Sequence, residues 1–315
     1  MTKILSHSDN DLEKAAEALK NGLLVALPTE TVYGLGADAF NVSALAKVFE
    51  AKNRPRFDPL IIHIAELDTL SRIADLTALD SVARDRVSIL SKQLWPGPLT
   101  LILPKRPEVP DLATAGLPTV AVRFPSHPIA QKLIRMSTGA VAAPSANPFG
   151  YISPTRAEHV KTQLDGKVDF IIDGGRTTVG VESTVLDLAH GHPRILRPGG
   201  VSKETIEAHI GPVKNSFGTP NEETEPNKAL ISPGQLKSHY APRTPLILYS
   251  REELISLHDA PDEGRLYFSF PPASTASNDA TIRTRVLSET GDMTEAAANL
   301  FDMLHELDNL DLGVI

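Results

Sequence analysis

Apolar and polar positions along the first two hundred residues follow two periods, one helical and one extended. Residues 11–20 carry apolar positions at helical spacing, and Gly22 stands just past the end, where a helix stop is expected. Residues 23–27 form an unbroken apolar run, the mark of a buried strand. The helical spacing returns at 43–51, 79–94, 127–137 and 156–164. Short apolar runs return at 60–64, 99–103, 119–123, 140–143, 168–172, 184–188 and 194–197. Trp95-Pro96-Gly97-Pro98 is predicted to stop the long helix before it. Such a mixture predicts an α/β or α+β sheet domain with helical cover. Several strands follow one another with no helix between them, so the sheet is expected to be mixed rather than purely parallel.

The periodicity fails over 211–243, a stretch rich in Pro, Asn, Gly and Glu that reads as a linker. Its second half, "SPGQLKSHYAP", carries Lys237, His239 and Tyr240, groups that a plain spacer does not need. Beyond it, 246–249 and 266–270 read as strands and 251–257 and 293–307 as helices. The expected organisation is a first domain over 1–211, a linker over 212–243, and a small Rossmann-like α/β domain over 244–315. The apolar end "LDLGVI" either tucks into the sheet as a last strand or marks a second domain that is truncated.

Composition narrows the classes. A length of 315 residues suits two ordinary domains, and 41% apolar with 22% charged residues suits a globular chain with a core. There is no cysteine, which excludes disulfides, thiolate nucleophiles and cysteine metal sites. The N-terminus shows no apolar core of a signal peptide. No apolar run approaches the ~20 residues of a membrane span. A cytoplasmic protein with no membrane contact is expected. The net charge of −8 is uneven: residues 1–250 hold 27 basic and 26 acidic side chains, residues 251–315 hold 4 and 13. The tail is therefore a poor partner for nucleic acid. Residues 51–200, with 18 basic against 14 acidic groups, leave room for RNA contact there.

Four groups could carry chemistry. "LVALPTETVYGLGADA" ends in Gly34-x-Gly36-x-x-Ala39, spaced like a dinucleotide turn. Six residues separate the strand from Gly34, however, and the acidic residue such a fold wants is misplaced. The glycines instead read as a chain reversal, and the polar insert Pro28-Thr29-Glu30-Thr31 as the informative part. Lys52, Arg54 and Arg56 stand at a helix end; they suit a polyphosphate, and they equally complement the helix dipole. Pro144-Ser145-Ala146-Asn147-Pro148, with Ser153 and Thr155 after it, suits either turn and capping chemistry or an anion at a helix start. His63, Arg123, Ser183 and Arg197 sit inside or at the end of apolar strands. Two arginines closing strands want anionic partners. No nucleophile elbow, HExxH motif or P-loop occurs, so positioning of a phosphate and a small polar ligand is favoured over covalent catalysis.

Seven motifs stand in order along the chain: "PTETVYGLGADAF", "KNRPRFDPLIIHI", "LWPGPLTLIL", "TVAVRFPSHP", "AAPSANPFGYISPT", "VGVESTVLDL" and "ILRPGGVS". With "SPGQLKSHYAP" and a small domain after it, the chain resembles the two-domain type of the YrdC-like family of L-threonylcarbamoyladenylate synthases. The resemblance implies a twisted mixed sheet lining a concave, positively charged cavity. It implies synthesis of threonylcarbamoyl-AMP from L-threonine, bicarbonate and ATP, with release of pyrophosphate. The product would serve a threonylcarbamoyl transferase machinery acting on tRNA beside the anticodon. Carried onto this sequence, the threonine contacts fall on Thr31, His63, Arg123, Ala143 and Ser183. The ATP contacts fall on Lys52, Arg54, Asp58, Thr119, Ser145, Asn147, Ser153, Arg197 and Tyr240, with Tyr240 closing as part of a lid. Lys52 and Arg54 would act electrostatically, with no protein nucleophile. Mg2+ would arrive on ATP, with no dedicated metal site and no organic cofactor. Asp58 stands where the family commonly has Asn, and a carboxylate near phosphates needs a metal or Arg54 to neutralise it. Two other classes compete: an RNA-binding or ribosome-associated protein on the same basic surface, and a different carbamoyl or acyl transfer on the same fold.

Overall fold

The computed structural model describes residues 1–216, 240–256, 260, 262–269 and 283–315, so most of the predicted linker, with Lys237 and His239, lies outside the described residues. The strands are β1 (Lys3–Leu5), β2 (Val25–Leu27), β3 (Gly34–Asp38), β4 (Ile61–Ile64), β5 (Leu99–Pro104), β6 (Thr119–Arg123), β7 (Ala140–Ala142), β8 (Phe170–Ile172), β9 (Thr184–Asp187), β10 (Arg194–Arg197), β11 (Lys214–Asn215), β12 (Arg265–Tyr267) and β13 (Thr284–Val286). The first eleven form one sheet in the order β1-β8-β2-β3-β7-β4-β6-β5-β9-β10-β11. It is mixed: β4 runs parallel to β6 and β5 to β9, while β5–β6, β4–β7 and β2–β3 are antiparallel.

Side chains alternate across a strand, so each apolar run divides its residues between two faces. One face takes Ala26, Leu35, Ile62, Ile64, Leu101, Val120, Val122 and Leu186 into the main core. Helices α2 (Val42–Lys52), α4 (Ser81–Gln93), α7 (Ala157–Leu164) and α8 (Lys203–Ile210) add Leu45, Val48, Val87, Leu90, Val160 and Ile206 to it. Three of them start at a matching residue: Asn41 caps α2, Asp80 caps α4 and Ser202 caps α8, each accepting from a first-turn N–H. On the other face, α1 (Asp9–Lys20) and α6 (Pro128–Met136) cover β2, β7 and β8 through Leu12, Leu19, Leu133 and Ile134. Their apolar cluster takes no residue from β4, β6, β5 or β9. There the second face carries only a small apolar cluster of Ile61, Ile102, Ala121, Val185 and Leu196. The polar strand residues His63, Thr100, Thr119, Arg123 and Ser183 share that face by alternation.

The glycine motif is not a chain reversal. Gly34 and Gly36 lie inside β3, between β2 and β7, and neither has a positive φ. A Cβ on Gly36 would stand 2.8 Å from Leu27 and 3.0 Å from Val141, so the glycine lets flanking side chains close over the strand.

After Tyr240, a smaller unit contains α9 (Arg251–Ser256), the parallel pair β12–β13 and α10 (Met293–Asp308). The predicted strand 246–249 is not one; Ile247 N donates to Ile315 O at 2.9 Å instead. The terminal "GVI" runs between 245–247 and Gly264, and Val314 bridges Glu263 in parallel. The apolar end thus tucks in beside the small sheet. Phe301, Leu304, Leu307 and Ile315 pack with Val32 and Ile152 of the first unit. Asp302 of α10 accepts from Arg156 Nε at 2.7 Å and lies 3.3 Å from Arg176.

Candidate active site

This second sheet face opens into a cavity walled by several segments that are far apart in the chain. Thr29, Thr31, Val32 and Gly34 come from the β2–β3 connection and the start of β3, and Ala143, Pro144 and Ser145 from the loop after β7. Ile61, His63 and Arg123 form its floor, and Arg54, Glu182, Arg197 and Tyr240 its remaining wall.

Arg123 closes β6 with its guanidinium among fixed partners. Nη1 donates to Thr31 Oγ1 at 2.9 Å, and Nε donates to Gly97 O at 3.4 Å. Nη2 lies 2.7 Å from Glu30 Oε1 as an ion pair, off the angle of a hydrogen bond. Five donors with three engaged leave one N–H on each terminal nitrogen, a fork suited to one carboxylate. Glu30 is almost fully buried; burial works to raise its pKa, but Arg123 beside it holds it below the ordinary value. Thr31 Oγ1 in turn lies 2.8 Å from Thr29 Oγ1. His63 Nδ1 faces Ile61 O at 3.2 Å, and burial, with the charge of Arg123, pushes its pKa down to about 3. The ring is neutral at ordinary pH.

Arg197 lies across β9: Nη2 donates to Ser183 O at 2.8 Å and Oγ at 3.0 Å, and Nη1 to Tyr240 Oη at 3.5 Å. Ser183 Oγ is also 2.8 Å from Thr100 Oγ1. Burial holds the Tyr240 phenol up at about 12, against the pull of Arg197. Arg54 donates to Asp58 O and Pro59 O at 3.2 and 2.8 Å, and its Nη2 is 2.9 Å from Asp58 Oδ2. Asp58 is fully buried, and burial raises its pKa against that pull. The carboxylate in the position of the usual Asn is therefore neutralised by Arg54 within the protein.

Of the residues singled out from sequence, Thr31, His63, Arg123, Ala143, Arg54, Ser145, Arg197 and Tyr240 line this one cavity. Ser183 sits behind Arg197. Lys52 is buried beneath the Ser145–Asn147 loop, and its Nζ donates to the carbonyls of Ser145 and Asn147. Burial, then the charge of Arg54, lowers its pKa well below the ordinary lysine value. Asn147 Nδ2 ties the same loop to Pro148 O and Tyr151 O, both at 2.8 Å. Ser153 Oγ donates to Glu182 Oε1 at 2.9 Å. Thr119 opens β6 at the end away from Arg123. The register that pairs Ile61 with Ala121 sets Thr119 level with Pro59, whose carbonyl Arg54 holds.

Sequence reasoning missed Glu30 as the partner of Arg123, Thr100 behind Ser183, Glu182 on the wall, and the contacts of α10 behind Ser153. Glu30 stood in the polar insert already singled out, and an acid inside a buried run was the signal. Nothing in the sequence signalled His305, whose Nε2 lies 3.1 Å from Ser153 O, 152 residues away in the chain.

The family model named for Sua5, YciO and YrdC, described as "Telomere recombination", matches residues 17–199. The model described as "Threonylcarbamoyl-AMP synthase, C-terminal domain" matches residues 201–315. A threonylcarbamoyl-AMP synthase of Bacillus subtilis is 49% identical over 249 residues, covering 79% of this chain and 69% of its own. One of Pyrococcus abyssi is 43% identical over 310 residues, covering 96% and 86%. The crystal structure of P. abyssi Sua5 complexed with L-threonine superposes with a TM-score of 0.87 at 38% identity, covering 100% of this chain and 91% of that one.

Proposed function

The chain belongs to the Sua5/YciO/YrdC family, and from that premise we propose that it makes L-threonylcarbamoyl-AMP from L-threonine, bicarbonate and ATP, releasing pyrophosphate. The product serves threonylcarbamoylation of tRNA beside the anticodon. The observation that carries this reading is a single cavity lined both by Thr31, His63, Arg123 and Ala143 and by Arg54, Ser145, Arg197 and Tyr240. The first set presents a carboxylate fork and neutral polar groups, which suit an amino acid. The second presents two buried cations and two hydroxyls, which suit a nucleotide phosphate.

The chemistry needs alignment and charge more than a nucleophile. An amino-acid carbamate attacks the α-phosphate of ATP in line with the departing pyrophosphate. Arg123 holds the threonine carboxylate, with Thr31, His63, Ala143 and Ser183 about it. Arg54 and Arg197 offset charge on the phosphates, and Asp58, Thr119 and Ser153 shape that end. Lys52 and Asn147 act by fixing the loop that presents Ser145. Mg2+ would enter on the triphosphate. There Arg54 and Arg197 would add positive charge around the phosphates it rides on.

Residues 1–211 form the catalytic unit in this proposal, because Ile206 of α8 lies in its main core. The linker proposed over 212–243 begins within the first sheet, at β11, and residues 217–239 lie outside those described; 244–315 is proposed as the small α/β unit. No helix among the described residues is long and apolar enough to cross a membrane, and a cytoplasmic site of action is proposed on the activity alone. An RNA strand would need the cations on an open face, whereas Arg54, Arg123 and Arg197 are 7%, 3% and 6% exposed.

Pyrophosphate release with each substrate withheld in turn tests the activity. Release should need ATP, threonine and bicarbonate together. Release without threonine or without bicarbonate would overturn it, and equal release with other amino acids would point to a different transfer reaction.

A further inference from the structure

A carbamate forms on an amino-acid nitrogen only as that nitrogen gives up two protons, so the site must place a proton acceptor beside it. The cavity offers few candidates. Arg54, Arg123 and Arg197 are cations, and Thr29, Thr31, Ser145 and Tyr240 are neutral hydroxyls. His63 is neutral but weakly basic, since burial and Arg123 hold it down at about 3. Glu30 and Asp58 are carboxylates, but each is spent on its own arginine and is not part of the lining. Among the described lining residues, Glu182 is the one carboxylate.

Glu182 is also held in place. Ser153 Oγ donates to its Oε1 at 2.9 Å, and Arg197 Nη2 stands 3.7 Å from its Oε2. Its carbonyl accepts from Gly200 N at 2.9 Å, and Gly199 packs so closely that a Cβ there would lie 2.3 Å from that oxygen. Glu182 connects the two ends of the cavity along the backbone. Its neighbour Ser183 touches Thr100, which pairs with Arg123 in the sheet, while its own carboxylate meets Ser153 and Arg197.

We propose that Glu182 is the catalytic base of carbamate formation, holding the substrate α-ammonium and taking up a proton as the nitrogen bonds to carbon. This rests on the function proposed above. The ammonium gives its first proton to bicarbonate, which collapses to CO2 and water. The freed nitrogen lone pair then forms the C–N bond with CO2, and one C=O electron pair moves onto oxygen. The second proton passes from that nitrogen to a Glu182 oxygen and then to solvent. Ammonium and bicarbonate thus give carbamate, water and one proton.

The test compares wild-type, Glu182→Gln and Glu182→Asp full-length proteins in pyrophosphate release against pH, with ATP, threonine and bicarbonate each varied. Glu182→Gln should lose ~10²-fold or more in kcat. Its KM for ATP should stay within about twofold and its melting temperature should hold. Glu182→Asp should lose less. Raising pH and bicarbonate together should restore much of the Glu182→Gln rate, because threonine then carbamoylates unaided in solution. Unchanged kcat in Glu182→Gln overturns the inference. So does rescue by added Mg2+ rather than by pH, which would make Glu182 a ligand of the nucleotide's metal. A loss seen only in the KM for ATP also overturns it. An inactive wild type would instead sink the proposed function.

Discussion

At the scale of single residues, the site is built from ion pairs that bury their charges. Glu30 and Arg123 are 5% and 3% exposed, so neither can be left alone cheaply. Arg123→Met should destabilise the protein by about 3–5 kcal/mol, because Glu30 remains buried and uncompensated. The double variant Glu30→Met with Arg123→Met should recover most of that loss while threonine binding stays abolished. Urea unfolding of the four proteins in the cycle measures the coupling. Additive losses would mean that the pair is not a unit. The same pairing explains how a site with so many arginines folds: Arg54 is matched by Asp58, while Arg197 is held chiefly by the Ser183 carbonyl, with Glu182 farther off at 3.7 Å. Arg54, Arg123 and Arg197 were legible as strand-end or helix-end cations in an apolar context. Their carboxylate partners were not, since Glu30 reads as one more polar residue until the fold carries it 93 residues across to Arg123.

At the scale of elements, α10 is the support behind the Ser153 and Arg197 end of the cavity. His305 of α10 and His159 of α7 stack with ring centroids 3.9 Å apart, against Asp302, Arg156 and Arg176 on one side and Asp308 and Arg243 on the other. Burial pushes His159 down to about 3 and His305 below its ordinary value. Because both folded pKa values lie below the unfolded ones, the unfolded chain binds protons that the folded chain refuses. Stability should therefore fall as pH drops from about 6.5 towards 3, by about 1.4 kcal/mol per unit for His159, with His305 adding in the same direction. His63, held as low as His159, adds to the same slope. Urea midpoints at pH 7 and pH 5 should show the fall, and His159→Asn should flatten it by about one histidine. A midpoint independent of pH over that interval would show that these rings are not held neutral. The existence of α10 was legible from its periodicity, which places Phe301, Leu304 and Leu307 on one stripe. What the stripe packs against was not, because periodicity names a face and not its partner.

At the scale of the whole molecule, the cavity joins the sheet face, the β2–β3 connection, the loop after β7 and Tyr240. Two ligands sharing such a cavity should each stabilise the fold, by about 2.7 kcal/mol at a concentration of 100 Kd. Each should also raise the other's affinity by the same factor. Thermal unfolding with ATP, with threonine and with both should show a combined shift larger than the sum. A combined shift no larger than the sum would deny that the sites are linked. The sequence by itself determined the mixed sheet, the order of most strands and helices, and which residues were candidates. Alternation even separates 61, 63, 119, 121 and 123 from the core-facing 62, 64, 120 and 122. These are local properties, set by side chains within a few positions of one another. Only the tertiary structure decided that Gly34 and Gly36 lie inside β3 and that Lys52 holds a loop from beneath. It also set Glu30 against Arg123, and turned the second face of β4 and β6 towards a cavity. Each of those depends on which segments meet across tens to hundreds of residues, and a local pattern carries no term for that distance.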